Sequence, residues 1–192
     1  MSTATEAAVI DAHVHEDHDD HHEQSFVSKY IFSTDHKTIA KQFLITGIFW
    51  AFIGAAMSVI FRLQLGFPEA DLGFLKPILG KWIQVDGSLD PNFYLALVTM
   101  HGTIMVFFVL TAGLSGTFSN FLIPLQIGAR DMASGFMNML SYWFFFVSGL
   151  IMFISLFIET GPASGGWVVY PPLSALPQAM PGSGLGMTLW LV

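Results

Sequence analysis

A single histidine, His101, stands inside the long apolar run YLALVTMHGTIMVFFVLTAGLSGTFSNFLIPLQIGARD, which extends from Tyr94 to Asp131. Ionisable residues within a membrane segment are costly, so each is a candidate for function. Counted from the outer end of its helix, His101 lies roughly 11 Å deep at 1.5 Å per residue. A neutral imidazole there needs a partner. A hydrogen bond to a neighbouring helix would serve, and so would ligation of a metal or of haem iron; the residues alone leave both open. Gly102 leaves space beside the ring for a flat macrocycle, and Val98, Met105 and Phe108 form an apolar wall on the same face. That wall is equally what ordinary packing produces.

Two further ionisable positions flank apolar runs. Arg62 closes the first one and reads either as a snorkelling arginine or as a fixed donor to a carbonyl or carboxylate of a buried cofactor. Asp131 follows Arg130 in the turn after the second run, with Asn120 before it and Asn138 after it. Amides beside a carboxylate can hold a chain of waters, as a proton entrance requires, or can simply cap a polar turn. The candidate cofactor side and the candidate proton side fall on opposite faces of the membrane.

The elements that must position these residues follow from composition. The chain has 192 residues, 53% hydrophobic and only 11% charged, against roughly 25% charged in soluble domains. Its mean hydropathy is +0.61. These values predict an all-α integral membrane protein, a transmembrane helix bundle. With no cysteine, disulfides, thiolate metal sites and a cysteine nucleophile are excluded. The net charge of −7 comes largely from the amino-terminal tail and says little about partners; no nucleic-acid partner is expected.

Residues 1–28 read as a disordered tail whose sequence DAHVHEDHDDHHEQ holds five of the seven histidines. Such density can coordinate divalent ions, although the plainer reading is a solvated segment. It lacks the pattern of a signal peptide and is too acidic for a mitochondrial transit sequence. Spans are expected at about 42–62, 93–121 and 137–158, with a fourth beginning near 185, as in part of a longer protein. Gly47, Gly54, Ala55, Ala56 and Ser58 offer small surfaces for helix contact. Lys29, Lys37 and Lys41 place the amino terminus in the cytoplasm, which puts Asp131 inside and Arg62 outside. The connection 63–91 has room for a short surface helix around 74–82. Trp167 and Tyr170 suit interfacial anchors in the Gly/Pro-rich stretch after the third span.

The runs STDHKTIAKQFLITGIFWAFIGAAMSVIFRLQLGFP, VTMHGTIMVFF, GTFSNFLIPLQIGARDMASGFMNMLSYW and ETGPASGGWVVYPPL closely resemble subunit I of haem-copper terminal oxidases of the cytochrome c oxidase type. The resemblance covers nearly everything from Ser33 onward. It implies helices one to three and the start of four of a twelve-helix fold in the bacterial plasma membrane. His101 matches an axial ligand of the low-spin haem, and Arg62 the arginine at the formyl group of haem A. Tyr94 and Trp167 match positions near the haem propionates. Asp131, Asn120 and Asn138 match the entrance of a proton channel. Haem a3 and copper B, with the catalytic residues, would come from later helices.

The implied activity is reduction of O2 to water coupled to proton pumping, with cytochrome c as donor. Implied partners are subunit II with its copper A site, subunit III and membrane lipid. Gln64 replaces a glutamate that in some relatives binds calcium or sodium, and Arg130 replaces a common proline. A quinol oxidase of the same superfamily shares these helices, and a non-enzymatic transporter or assembly protein is the distant alternative.

Overall fold

A computed structural model describes residues 25–158, 161–172, 174, 176 and 184–192. The disorder and metal-binding readings of residues 1–24 lie outside the described residues. The chain divides into compact units at Ser33 and Thr34. In the first, a short π-helix at Val27–Ile31 puts regular backbone within the last residues read as tail.

The second unit contains α1 (His36–Gly66), α2 (Pro91–Ile127), α3 (Gly135–Ser155) and the short α4 (Leu185–Leu191). The first three are 31, 37 and 21 residues long and apolar enough to cross a membrane. α1 and α2 extend beyond the expected spans at both ends, because a helix persists into the polar boundary once capped. At α1 the Asp35 carboxylate accepts from the N–H and the hydroxyl of Thr38, both at 2.8 Å. At α2 Asp90 accepts from the N–H groups of Asn92 and Phe93, with Pro91 in the first turn. Both are helix starts in which a carboxylate satisfies orphan donors. α3 ends at Ser155, short of the expected 158.

The far end of α2 stops at Gly128, whose φ of 71° is open to glycine at little cost. Ala129 N–H reaches back to the Pro124 carbonyl at 2.9 Å and Gly128 N–H to Leu125 at 3.3 Å, the paired bonds of a Schellman ending. Within α2, Ile104–Leu114 winds as a π-helix.

The buried positions of α1 from Ala40 onward are Phe43, Gly47, Trp50, Gly54, Met57 and Phe61. Their alternating spacing of three and four is the stripe that a left-handed helix pair requires. Its glycines let backbones touch: a Cβ on Gly47 would stand 3.0 Å from Gly113 Cα, and Gly54 sits against Met105 and Ile104. Of the small residues expected at contacts, Gly47 and Gly54 are buried, whereas Ala55 and Ala56 are exposed. Close backbone approach matters in a bilayer, where lipid tails remove the usual hydrophobic drive for helix association. α3 joins through aromatic contacts, with Phe43 stacked on Phe145 at 5.5 Å and the Tyr142 hydroxyl 3.1 Å from Thr46 Oγ1.

The connection between α1 and α2 carries short helical turns at Gly73–Leu75, Lys76–Leu79 and Gly80–Trp82, in the region expected. It is pinned to α2 by Trp82, which stacks on Phe93 at 4.8 Å and 11°.

Gly47→Val should lower stability by about 1–3 kcal/mol, the usual cost of overpacking, while Ala55→Val on the exposed face should stay within roughly 0.5 kcal/mol. Detergent-titrated unfolding of the full-length protein measures both. Equal midpoints for the two variants would remove Gly47 from the helix contact.

Candidate functional site

Phe61 is the hub of one candidate site. Its ring meets His101 edge-on at 5.5 Å and Tyr94 edge-on at 6.1 Å, and the Arg62 guanidinium lies 6.0 Å from its centre. Three of the residues singled out in the sequence are thereby gathered where the end of α1 crosses the first half of α2. His101 Nδ1 lies 2.8 Å from the Gly54 carbonyl oxygen. A carbonyl only accepts, so Nδ1 carries the proton, and in the neutral ring Nε2 keeps its lone pair. A backbone carbonyl that holds Nδ1–H is the arrangement that orients a metal-ligating histidine. Beside it, apart from the chain neighbours of Gly102 and the adjacent helix backbone, no heavy atom of the described residues lies within 4 Å of the point to which a Cβ on Gly102 would project.

Arg62 is exposed and donates from Nε to Ser58 Oγ at 3.0 Å. Trp167 is not brought to this group. It is 59% exposed and packs edge-on on Phe107 at 5.5 Å, further along α2 than His101. Its chain is held by the Gly166 N–H, which donates to Thr99 Oγ1 at 3.0 Å. Gln64, in place of the glutamate of some relatives, bridges backbone: its Oε1 accepts from Leu89 N–H at 2.8 Å and its Nε2 donates to the Pro68 carbonyl at 3.2 Å.

The second site lies at the opposite end of the bundle. Asp131 Oδ1 accepts from Met132 N–H at 2.7 Å, from His36 Nδ1 at 3.0 Å and from His36 N–H at 3.3 Å. His36 is buried to 1% exposure, and among the described residues its Nε2 has no partner. Sequence reasoning assigned His36 no role. The visible signal was its place directly after a capping Asp35, which ties it to the start of α1. Asp35, His36 and Asp131 offer ligand atoms within 4.8 Å of one another, a spacing that a divalent ion could bridge. Binding there would displace the Nδ1–H bond to Asp131.

Burial raises the Asp35 pKa, but the bonds from the Thr38 hydroxyl and N–H and the nearby His36 outweigh it, leaving the carboxyl below its ordinary value. Among the described residues no hydrogen bond joins Asn120 or Asn138 to Asp131. Asn120 is 4% exposed; its Nδ2 donates to the Gly116 carbonyl at 2.7 Å, while its Oδ1 has no partner among the described residues. Asn138 Nδ2 is likewise buried without one. Pro124 has no N–H to offer the Asn120 carbonyl four residues back, so polar capacity accumulates along this part of α2.

Three long apolar helices with internal ionisable groups define a helical integral membrane protein. The family described as "Cytochrome C and Quinol oxidase polypeptide I" matches residues 38–192, and the chain belongs to it: the subunit I family of haem-copper oxidases. The alternative cytochrome c oxidase subunit 1 of Bradyrhizobium diazoefficiens is 39% identical over 171 residues, 89% of this chain and 26% of its own length. The ubiquinol oxidase subunit 1 of Acetobacter aceti is 39% identical over 160 residues, 83% of this chain and 22% of its own. The heme-copper oxidase subunit I+III of Aeropyrum pernix is 35% identical over 163 residues, 85% of this chain and 18% of its own. The chain thus spans about a quarter or less of the relatives it matches. The family implies haem and copper, and the His101 tautomer with open space at Gly102 fits a haem ligand.

Replacing Asp35 with Ala should cost about 1 kcal/mol of helix stability. A folded pKa below the unfolded one makes the charged carboxylate's contribution full at neutral pH and lost as pH falls through the folded value. Unfolding midpoints of wild type and variant should therefore converge on acidification, and a pH-independent gap would rule this out.

Proposed function

We propose that this chain is the amino-terminal part of the catalytic subunit of a proton-pumping terminal oxidase that takes electrons from cytochrome c and reduces O2 to water. The observation that carries it is the bond from His101 Nδ1 to Gly54 O at 2.8 Å, which leaves Nε2 as the ligating atom. Low-spin haem A bound there supplies a one-electron iron couple within the membrane. Gly54 fixes the plane of the imidazole, and Phe61 walls its side. Arg62, with Nε committed to Ser58, would offer its terminal N–H groups to the formyl of haem A. Tyr94, edge-on to Phe61 at 6.1 Å, would hold the propionates. Haem a3 and copper B belong to the remainder of the subunit, and the subunit carrying copper A and subunit III are its expected partners.

At the other end Asp131 accepts protons from the cytoplasm, the amino terminus lying on that side of a bacterial plasma membrane. The unpaired Asn120 Oδ1 and Asn138 Nδ2 hold water molecules that carry the protons inward, since buried polar atoms without protein partners need ordered water. The quinol oxidase reading keeps the same helices and the same histidine. It is favoured by the equal identity, 39%, to a ubiquinol oxidase subunit, and turnover with reduced cytochrome c against a quinol separates the two.

A reduced-minus-oxidised spectrum of the full-length protein, wild type beside His101→Ala, tests the ligand role. The low-spin band should vanish in the variant; an unchanged band would end the assignment. Asp131→Asn should keep that band and slow proton uptake at least ten-fold, about 1.4 kcal/mol. Uptake at the wild-type rate would remove Asp131 from the entrance.

A further inference from the structure

Gly54, Ser58 and Arg62 follow one another along α1, each about one turn after the last. Gly54 lends its carbonyl to His101 Nδ1 at 2.8 Å. Ser58 Oγ accepts from Arg62 Nε at 3.0 Å. The sequence marks Ser58 only as a small residue suited to helix contact, and it is half-buried. Its hydroxyl is engaged instead by the arginine beside the histidine site.

Arg62 is exposed and stands near the end of α1 at Gly66. The closing carbonyls of a helix attract cations, and a long arginine stem has many rotamers to choose from. Nothing acidic draws the guanidinium to one place. Among the described residues no carboxylate pairs with it, the ion pairs there belonging to His36. Asp71 accepts from Gly73 N–H, Asp86 from the N–H and hydroxyl of Ser88, and Asp90 caps α2. The bond to Ser58 is therefore what turns the side chain back along the helix. It brings the guanidinium 6.0 Å from the centre of Phe61, the same ring that meets His101 edge-on. The helix beneath is itself held, because Gln64 ties it to Leu89 and Pro68.

We propose that Ser58 is a positioning residue that aims Arg62 at the low-spin haem and thereby sets the potential of that haem. This rests on the haem A reading above. A guanidinium is planar and rigid, so holding Nε fixes the direction of both terminal nitrogens. Reduction adds an electron to the haem, and a cation held beside the macrocycle favours the reduced state. An N–H bond to a formyl also draws density from the conjugated ring and moves its absorption to the red. Without the Ser58 hydroxyl the guanidinium would spread over rotamers that face water and the helix end, and both effects would fade.

The test uses the full-length subunit within its oxidase complex and reads two quantities, the position of the low-spin band and the midpoint potential. Wild type is set beside Ser58→Ala, Ser58→Thr, Arg62→Met and the double variant Ser58→Ala with Arg62→Met. Ser58→Ala should move the band to the blue and lower the potential by about 59 mV, a ten-fold change in a one-electron equilibrium. Ser58→Thr keeps a hydroxyl and should restore both values. The double variant should match Arg62→Met alone, because the serine acts only through the arginine. Wild-type values in Ser58→Ala, with Arg62→Met shifted, would overturn the proposal and leave the haem A reading standing. A further shift in the double variant would also overturn it, since the hydroxyl would then act on the haem itself. So would complete loss of the low-spin band in Ser58→Ala, which would make Ser58 a residue that retains the haem. A wild-type band in Arg62→Met would instead end the formyl role of Arg62, and the inference with it.

Discussion

The backbone of α1 touches the backbone of α2, and the chemistry of the chain depends on that contact. Gly47 against Gly113, and Gly54 against Ile104 and Met105, bring the helices close enough for a main-chain carbonyl of one to reach a side chain of the other. The bond from His101 Nδ1 to Gly54 O is the consequence. That carbonyl lies within a helix, where it also faces the amide of Ser58 four residues on, so it serves with its second lone pair. A larger residue at Gly54 would meet Met105 Sδ at 2.8 Å and push the carbonyl away from the ring. Packing and tautomer are therefore one constraint.

The same helices separate two kinds of polar group. At one end, ring contacts and a guanidinium surround a histidine whose free nitrogen suits a transition metal such as iron in a macrocycle. At the other, a carboxylate is held by a buried histidine and by backbone N–H groups, with unpaired amide atoms nearby. Much of α2, from His101 toward its end at Ile127, lies between them. A membrane enzyme that draws protons from one face and electrons from the other needs this division. The Schellman ending of α2 gives the second site its geometry, because it turns the chain directly from Pro124 toward Asp131 and the start of α3.

Much of this was legible in the sequence because the signals are local. Apolar length set the three helices, and a lone histidine in an apolar run announced itself by its cost. Small residues on α1 were expected at its contact face, yet only two of the five named there are buried. Ala55 and Ala56 share the composition of Gly54 and not its direction. A difference of 100° per residue on the helix decides between core and lipid, and composition does not carry that angle.

What the sequence by itself determined is the class of protein, the order of its spans and the identity of His101, Arg62, Tyr94 and Asp131 as the groups worth following. Tertiary structure alone decided their partners. It placed His36 on Asp131 across ninety-five positions of chain, gave His101 a carbonyl from another helix, and set Trp167 against Phe107 instead of Tyr94. The physical reason is that a hydrogen bond or ring contact depends on distances of a few ångströms between helices. Those distances follow from the packing of whole helix faces, and no short window of sequence contains them.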